Sequence, residues 1–143
     1  LVDEVAASLR RQLVGRDVRV EAALDAGLGP VRADRELVRR VLVNLVDNAL
    51  RHSPRGGVVV VAGARAGGRV RLEVRDRGPG VPPAQRAALF DAYETSPDPD
   101  GHGRRGHGLG LAFCRLAAEA HGGRADYERS EGGESVFFFE LPA

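Results

Sequence analysis

The order of elements along this 143-residue chain predicts an α+β fold: a two-layer sandwich in which a mixed β-sheet carries its helices on one face. Two observations support this prediction. Helical and strand-like apolar patterns interleave along the chain, and two strand pairs are separated by short glycine-containing turns typical of hairpins. The length is that of a single domain, and 43% hydrophobic residues are enough for one core.

The first third of the chain predicts a strand between two helices. Residues 1–13 carry an apolar residue at every fourth position, as an amphipathic helix does. Residues 17–24 alternate as a strand does. Asp34 is a typical N-cap for a longer apolar-faced helix, which we expect to run to about His52 and to end at Ser53-Pro54.

The middle of the chain predicts a hairpin and a short helix. Residues 57–64 and 69–75 form the two strands around a turn at 65–68, and residues 82–89 form the helix. Residues 91–105, rich in proline, aspartate and glycine, predict a long loop. Loops of that length in a compact domain are usually functional.

A helix and a second strand pair complete the chain. The helix is predicted over residues 109–121 and is ended by Gly122-Gly123. Residues 124–129 and 135–141 then form the closing strands.

Composition excludes several classes of protein. The chain contains no lysine, so all 21 of its basic residues are arginines. A P-loop, a eukaryotic-type protein kinase site and a Schiff-base enzyme all require a lysine. The net charge of +1 argues against binding driven by bulk charge to nucleic acid or to a membrane surface. The single Cys114 excludes an internal disulfide, and we expect it to be a small buried hydrophobe.

A polar face interrupts the apolar pattern of the Asp34 helix. Asn44, Asn48 and Arg51 lie at positions i, i+4 and i+7, with His52 beside them. Asparagine is a mediocre helix former, and its carboxamide oxygen suits Mg²⁺. The face is therefore a candidate metal site; the alternative is a pair of solvent-facing asparagines.

Asp76-Arg77-Gly78-Pro79-Gly80, here called the DRGPG loop, directly follows a predicted strand. A carboxylate in that position can accept a hydrogen bond from an exocyclic amine, and the glycines allow a flat base to approach the backbone. The alternative is an ordinary turn from strand to helix.

Residues 106–111, with the sequence Gly-His-Gly-Leu-Gly-Leu, open a predicted helix. Bare amides at a helix N-terminus favour phosphate, although a flexible hinge is the alternative. Residues 101–106 match the dinucleotide pattern GxGxxG but follow no strand, so that interpretation is discarded.

These motifs in this order resemble the catalytic, ATP-binding domain of bacterial sensor histidine kinases, of the GHKL superfamily with the Bergerat fold. Residues 44–52 are similar to the N box, 76–80 to the G1 box, 89–93 to the F box and 106–111 to the G2 box. Tyr93 stands where the F box usually has a second phenylalanine. The resemblance covers essentially the whole chain.

The resemblance implies a role for each matching residue on the metal and base side. Asn48 would hold Mg²⁺, with Asn44 beside it as a second candidate ligand. Arg51, where the family often has lysine, would contact phosphate, and His52 would lie near the ribose or phosphates. Asp76 would bind the adenine amine.

Further residues would complete the ATP site. Residues 91–105 would form the ATP lid, anchored by Phe90. The pocket and the phosphate cradle would use a second set of residues: Gly78, Gly80, Gly106, Gly108, Leu109, Gly110 and, through water, Ser135.

The implied reaction is transfer of the γ-phosphoryl group of ATP, with Mg²⁺, to a histidine on a separate dimerisation domain. Hydrolysing relatives have a glutamate base at the position of Asn44, and an asparagine cannot take that proton. Two alternatives remain open at this stage: an anti-sigma-factor-type serine kinase, and a degenerate module that keeps the fold for protein contact.

Partners and setting follow from the same resemblance. Because the chain starts at Leu1 and contains no Met, we expect a piece of a longer protein with its phosphoacceptor domain upstream. We expect a cytoplasmic domain that is monomeric by itself and acts indirectly on a response regulator. The parent would be a homodimer, with or without a membrane anchor.

Overall fold

The computed structural model describes residues 2–12, 18–91 and 110–142. Nine elements follow one another in these ranges: α1 (Val2–Gln12), β1 (Val18–Leu24), α2 (Arg35–His52), β2 (Gly57–Ala66), β3 (Arg69–Asp76), α3 (Pro83–Arg86), α4 (Gly110–Ala120), β4 (Arg124–Arg129) and β5 (Ser135–Pro142). Their order agrees with the order predicted from sequence.

The five strands form one mixed sheet in the order β1-β2-β3-β5-β4. β1 runs parallel to β2, whereas the other three pairings are antiparallel. The parallel pair is separated in sequence by α2, and the hairpins β2–β3 and β4–β5 supply two of the three antiparallel pairs, so the predicted α+β class is confirmed.

One face of the sheet packs against the helices. Alternate residues of β3 and β5 lie opposite each other there, as in the pair Val74–Phe137 and the pair Leu72–Phe139. They join one core with buried residues of α2 and α4: Val38, Val41, Leu42, Leu45, Val46, Ala49, Cys114, Ala117 and Ala118. Burial raises the pKa of the Cys114 thiol to about 12, so this side chain is a packing group, as predicted.

The opposite face of the sheet is covered by charged side chains. Phe138 lies there but is buried, because the guanidinium of Arg71 stacks 3.7 Å from its ring centroid and that of Arg124 stacks 5.2 Å from it. Both arginines pair with Glu140, and Arg71 also pairs with Glu73. Within the described ranges, charged side chains and not a helix therefore shield this aromatic ring from water.

Helix α2 begins as the sequence predicts. Oδ1 of Asp34 accepts hydrogen bonds from the amides of Glu36 and Leu37, at 3.0 and 3.1 Å. The backbone amide of Asp34 in turn donates to Nε2 of His121, just beyond the end of α4, at 3.0 Å. The start of α2 is thereby tied to the end of α4.

Two predicted boundaries are wrong. α3 ends at Arg86 and not at Leu89, because the amides of Leu89 and Asp91 donate to carbonyls three residues back, which tightens the chain into turns. The first hairpin turns over two residues, Gly67 and Gly68, and not four. Both have positive φ, the conformation that a two-residue hairpin turn requires.

No helix within the ranges 2–12, 18–91 and 110–142 is long and apolar enough to cross a membrane.

Candidate functional site

The polar face of α2 is turned inward. Asn48 is only 8% exposed and Asn44 is half-buried, so the alternative of two solvent-facing asparagines is wrong. The Nδ2 atom of Asn48 is buried and has no hydrogen-bond partner among the described residues. Because an unpaired buried amide is costly, this side chain is a candidate contact for a ligand.

Asn44 connects α2 to the start of α4. Its Nδ2 atom lies 3.4 Å from the carbonyl oxygen of Gly110, a long hydrogen bond. A Cβ on Gly110 would lie 3.7 Å from Cγ of Asn44, so the Asn44 side chain lies directly against the start of α4. The structure thus brings together one residue of the candidate metal site and one of the predicted phosphate cradle.

Asp76 and Ser135 meet at the end of the sheet. Asp76 is the last residue of β3, and Ser135, the first of β5, lies directly opposite it in the strand register. Asp76 is 2% exposed and Ser135 is 3% exposed. Oδ1 of Asp76 accepts the amide of Gly78 at 2.7 Å, whereas no described residue donates to Oδ2. One carboxylate oxygen therefore remains available.

The surroundings of Asp76 disfavour its charge. Burial raises the pKa of this carboxyl above 3.8, and the negative charge of Glu134 acts in the same direction. The hydrogen bond from the Gly78 amide opposes both. A buried carboxylate with one unoccupied oxygen is an acceptor suited to a neutral donor such as an amine.

The C-terminal end of α2 packs on the DRGPG loop. A Cβ on Gly78 would lie 2.5 Å from the carbonyl oxygen of His52, so no larger residue fits there. His52 is half-buried, and burial, followed by the charge of Arg51, lowers the pKa of its imidazole. Arg51 is exposed and lies 3.8 Å from Asp47, so it is not held in place by a buried partner.

Gly80 faces a different group from the one that the sequence suggests. Its φ is +75°, and a Cβ there would lie 2.8 Å from the Tyr127 hydroxyl and would overlap the guanidinium of Arg129. The space that this glycine leaves is therefore occupied by side chains of β4, whereas the sequence suggested room for a flat base.

Phe90 is buried, with its ring centroid 6.3 Å from that of Phe137 on β5. The next residue, Asp91, receives a hydrogen bond at 3.4 Å from Arg115 of α4. The root of the predicted lid is thus attached to both the sheet and α4. The rest of the lid, together with Tyr93, Gly106, Gly108 and Leu109, lies outside the described residues.

Sequence reasoning missed three residues around the DRGPG loop. Tyr127 and Arg129 of β4 contact the loop, and Arg86 of α3 closes over Tyr127. The alternation of β4 places Tyr127 and Arg129 on one face, but no motif links that face to a loop about fifty residues earlier.

A buried carboxylate at a strand end, a carboxamide helix and the glycine start of a second helix converge at one end of the sheet. The fold and this site together define an ATP-binding domain. The sequence profile of the family described as "Histidine kinase-, DNA gyrase B-, and HSP90-like ATPase" matches residues 33–143. The chain belongs to this family.

Similar proteins of known sequence are named as a sensory kinase or as a sensor protein. The adaptive-response sensory kinase SasA of Trichormus variabilis is 34% identical over 141 residues, which cover 97% of this chain. The sensor protein DivL of Caulobacter vibrioides is 41% identical over 131 residues, which cover 92% of it. The chain spans 34% of the length of the first relative and 16% of the second.

Solved structures agree with this family. The nucleotide-free catalytic domain of the histidine kinase ThkA superposes with a TM-score of 0.84 at 29% identity, covering 99% of this chain and 89% of that domain. Full-length ShkA in complex with AMPPNP gives a TM-score of 0.81 at 30% identity, covering 98% of this chain and 28% of ShkA. The fold predicted from sequence is thereby confirmed.

Proposed function

We propose that this domain binds ATP with Mg²⁺ and donates the γ-phosphoryl group to a histidine on a separate dimerisation domain of a two-component sensor kinase. One observation carries the proposal. Buried polar residues of α2 lie between the start of α4, which Asn44 contacts, and the DRGPG loop, which His52 contacts. A nucleotide lying along α2 would reach an acceptor for its base at Asp76 and helix-start amides for its phosphates.

The residues present fit a magnesium ion. Asn48 offers a buried carboxamide with an unpaired terminal atom, and turning the amide over places its oxygen at the same point. Mg²⁺ favours one or two protein oxygens, with water and substrate phosphates as its other ligands. When bound, the ion would neutralise phosphate charge; Asn48 would hold it, with Asn44 beside it.

The chemistry of the α2 side chains favours transfer over hydrolysis. A nitrogen of the acceptor imidazole attacks the γ-phosphorus, the bond from that phosphorus to the bridging oxygen breaks, and ADP leaves with the bond's electron pair. A neutral imidazole needs positioning more than deprotonation, whereas water needs a base. Asn44 cannot act as that base, because a carboxamide does not accept a proton at neutral pH.

The comparisons support the partners that we propose. ShkA was solved with AMPPNP, and ThkA was solved in complex with the response regulator TrrA, at a TM-score of 0.80 and 27% identity to this chain. We infer a nucleotide ligand here and, through the parent kinase, a response regulator. We further propose that the domain is cytoplasmic and monomeric by itself, and that its parent is a homodimer.

Calorimetry with ADP, in the presence and absence of Mg²⁺, tests the metal site. Wild type and Asn48→Asp, which retains an oxygen, are expected to bind ADP more tightly when Mg²⁺ is added. Asn48→Ala removes that oxygen. The factor by which Mg²⁺ tightens ADP binding is therefore expected to fall about tenfold or more. A wild-type affinity that does not respond to Mg²⁺ would contradict the site.

Radiolabelled ATP tests the direction of transfer. None of the four histidines of this chain is followed by Glu or Asp, as the family's phosphorylated histidine normally is. We expect no phosphohistidine on the chain alone, and acid-labile label on the parent's dimerisation domain when that domain is added in trans. Label on a histidine of the isolated chain, or on a serine of an added protein only, would contradict the proposal.

A further inference from the structure

The DRGPG loop is held in place by side chains that belong to none of the nucleotide-binding motifs. The Tyr127 hydroxyl accepts the amide of Val81 at 3.1 Å, and Nη1 of Arg129 donates to the carbonyl of Pro79 at 3.0 Å. Both residues lie on β4, one of the two edge strands of the sheet. The two bonds fix the backbone on either side of Gly80.

Arg86 of α3 contacts both Val81 and Tyr127. Its Nε donates to the carbonyl of Val81 at 3.0 Å, and its guanidinium lies 5.2 Å from the centroid of the Tyr127 ring. Val81 thus has both its backbone amide and its carbonyl bonded to side chains. Arg86, Tyr127 and Arg129 are here called the loop clamp.

The loop clamp rests on the sheet core and is therefore rigid at its base. The Tyr127 ring is buried, with its centroid 4.9 Å from that of Phe137, whose ring also packs against Phe90. Only the hydroxyl of Tyr127 reaches the loop. Arg129, by contrast, is exposed, so its contact with Pro79 is not required to fill the core.

The geometry explains why Gly80 must lack a side chain. The position of its absent Cβ is taken by the tips of Tyr127 and Arg129. A Cβ there could be accommodated only if these side-chain tips or the loop moved, and either movement disturbs the bonds to Val81 and Pro79. Because Asp76 bonds the amide of Gly78 in the same loop, a displaced loop would also release the carboxylate from its present orientation.

We propose that the loop clamp positions the base pocket, so that Arg129 and Tyr127 determine how strongly Asp76 selects adenine without touching the nucleotide. This inference rests on the proposed nucleotide-binding function. Asp76 would accept a hydrogen bond from the exocyclic amine only while the loop keeps the free oxygen directed at the base. The clamp residues are therefore positioning residues.

The test compares two nucleotides by calorimetry. ADP carries the exocyclic amine, whereas inosine diphosphate (IDP) has a carbonyl in its place. Arg129→Ala and Tyr127→Phe each remove one hydrogen bond from the loop, and each is expected to weaken ADP binding about 3- to 10-fold. IDP binding is expected to change little, so discrimination between the two nucleotides falls. General unfolding would weaken both equally.

Two matched variants control for charge and for the strand. Arg129→Lys keeps a donor for the Pro79 carbonyl and is expected to recover most of the ADP affinity. Arg124→Ala removes another exposed arginine of β4 that pairs with Glu140 and does not reach the loop, and it is expected to bind as wild type does. Thermal unfolding of each variant verifies the fold.

The outcomes separate the two proposals. One outcome refutes the clamp proposal and leaves the proposed function standing. In that outcome wild type binds ADP and Asp76→Asn binds it more weakly, while Arg129→Ala and Tyr127→Phe bind as wild type does. Equal loss of ADP and IDP affinity in the clamp variants also refutes it. A wild-type chain that does not bind ADP overturns the proposed function and the clamp with it.

Discussion

Asp76 shows at the scale of one residue how a binding site can weaken a fold. The folded state raises the pKa of this carboxyl above 3.8, chiefly by burial. Between 3.8 and the folded pKa the folded state holds more protons than the unfolded state, so stability falls as pH rises through that window. At neutral pH the buried charge therefore weakens the domain.

The substitution Asp76→Asn is accordingly expected to raise the free energy of unfolding at pH 7. An asparagine keeps the shape and an acceptor for the Gly78 amide but carries no charge. Urea unfolding measures the effect, and the gain is expected to shrink as the pH is lowered. Asp47→Asn, at an exposed carboxylate, is the control and is expected to change stability by less than about 0.5 kcal/mol. A less stable Asp76→Asn protein at pH 7 would contradict this account.

His52 is expected to have the opposite pH dependence. Its pKa is lowered from 6.5 by burial and by Arg51, so below pH 6.5 the unfolded state binds the proton first. The stability that this residue contributes is complete above pH 6.5 and is lost as the pH falls toward the folded pKa. The variant His52→Gln is expected to lose stability less steeply below pH 6.5 in urea titrations. Identical slopes for the two proteins would show that His52 has no such role.

The candidate site could be predicted from sequence only where a residue departs from its local pattern. Asn44 and Asn48 interrupt an apolar helix face, and Asp76 ends a strand before glycines. Tyr127 and Arg129 form no such exception, because both fit an ordinary strand. Their contacts with the loop span 46 and 50 residues of sequence, and only the sheet order brings them together.

At the scale of elements, the α4–β4 connection lies against β5, and no described glycine leaves less room for a Cβ than Gly123. A Cβ on Gly123 would overlap the carbonyl oxygen of Glu140. Gly123→Ala is therefore expected to force β4 and β5 apart, at a cost of about 1–3 kcal/mol or more, as overpacking does.

Gly132→Ala is the matched control for this substitution. Neither glycine has a positive φ, and the nearest atom to a Cβ on Gly132 is Oγ of Ser130 at 3.8 Å. The unfolding free energy of the Gly132→Ala protein is expected to stay within about 0.5 kcal/mol of wild type. Urea unfolding measures the stability of both variants. Equal free energies of unfolding would show that β5 can move away from a Cβ at position 123 without loss of stability.

Elements were predictable from sequence where periodicity or a cap marks them. The 3.6-residue pattern and Asp34 determine α2, and the glycine-containing turn between residues 129 and 135 indicates the pair β4 and β5. The tight turns after Arg86 carry no such signal. The turns lead directly to Phe90, which is buried against Phe137, a contact that the local pattern does not show.

At the scale of the whole molecule, the sheet supports the site at one of its ends. β3 carries Asp76, β5 carries Ser135, and β4 carries Tyr127 and Arg129; α2 packs against β2 and β3, while α4 packs against β5 and β4. The single core beneath joins all these elements, so the site is set on rigid structure. The order β3-β5-β4 is what places the loop clamp beside the base pocket.

The central claim is that Asp76 accepts a hydrogen bond from the base of a nucleotide that lies along α2. Calorimetric titration of wild type and Asp76→Asn with ADP and Mg²⁺ tests it most directly. A hydrogen bond to a charged group contributes about 1.5–3 kcal/mol, so the substitution is expected to weaken binding about 10- to 100-fold while the apo protein becomes more stable. Equal affinities for the two proteins, or no binding by wild type, would contradict the account.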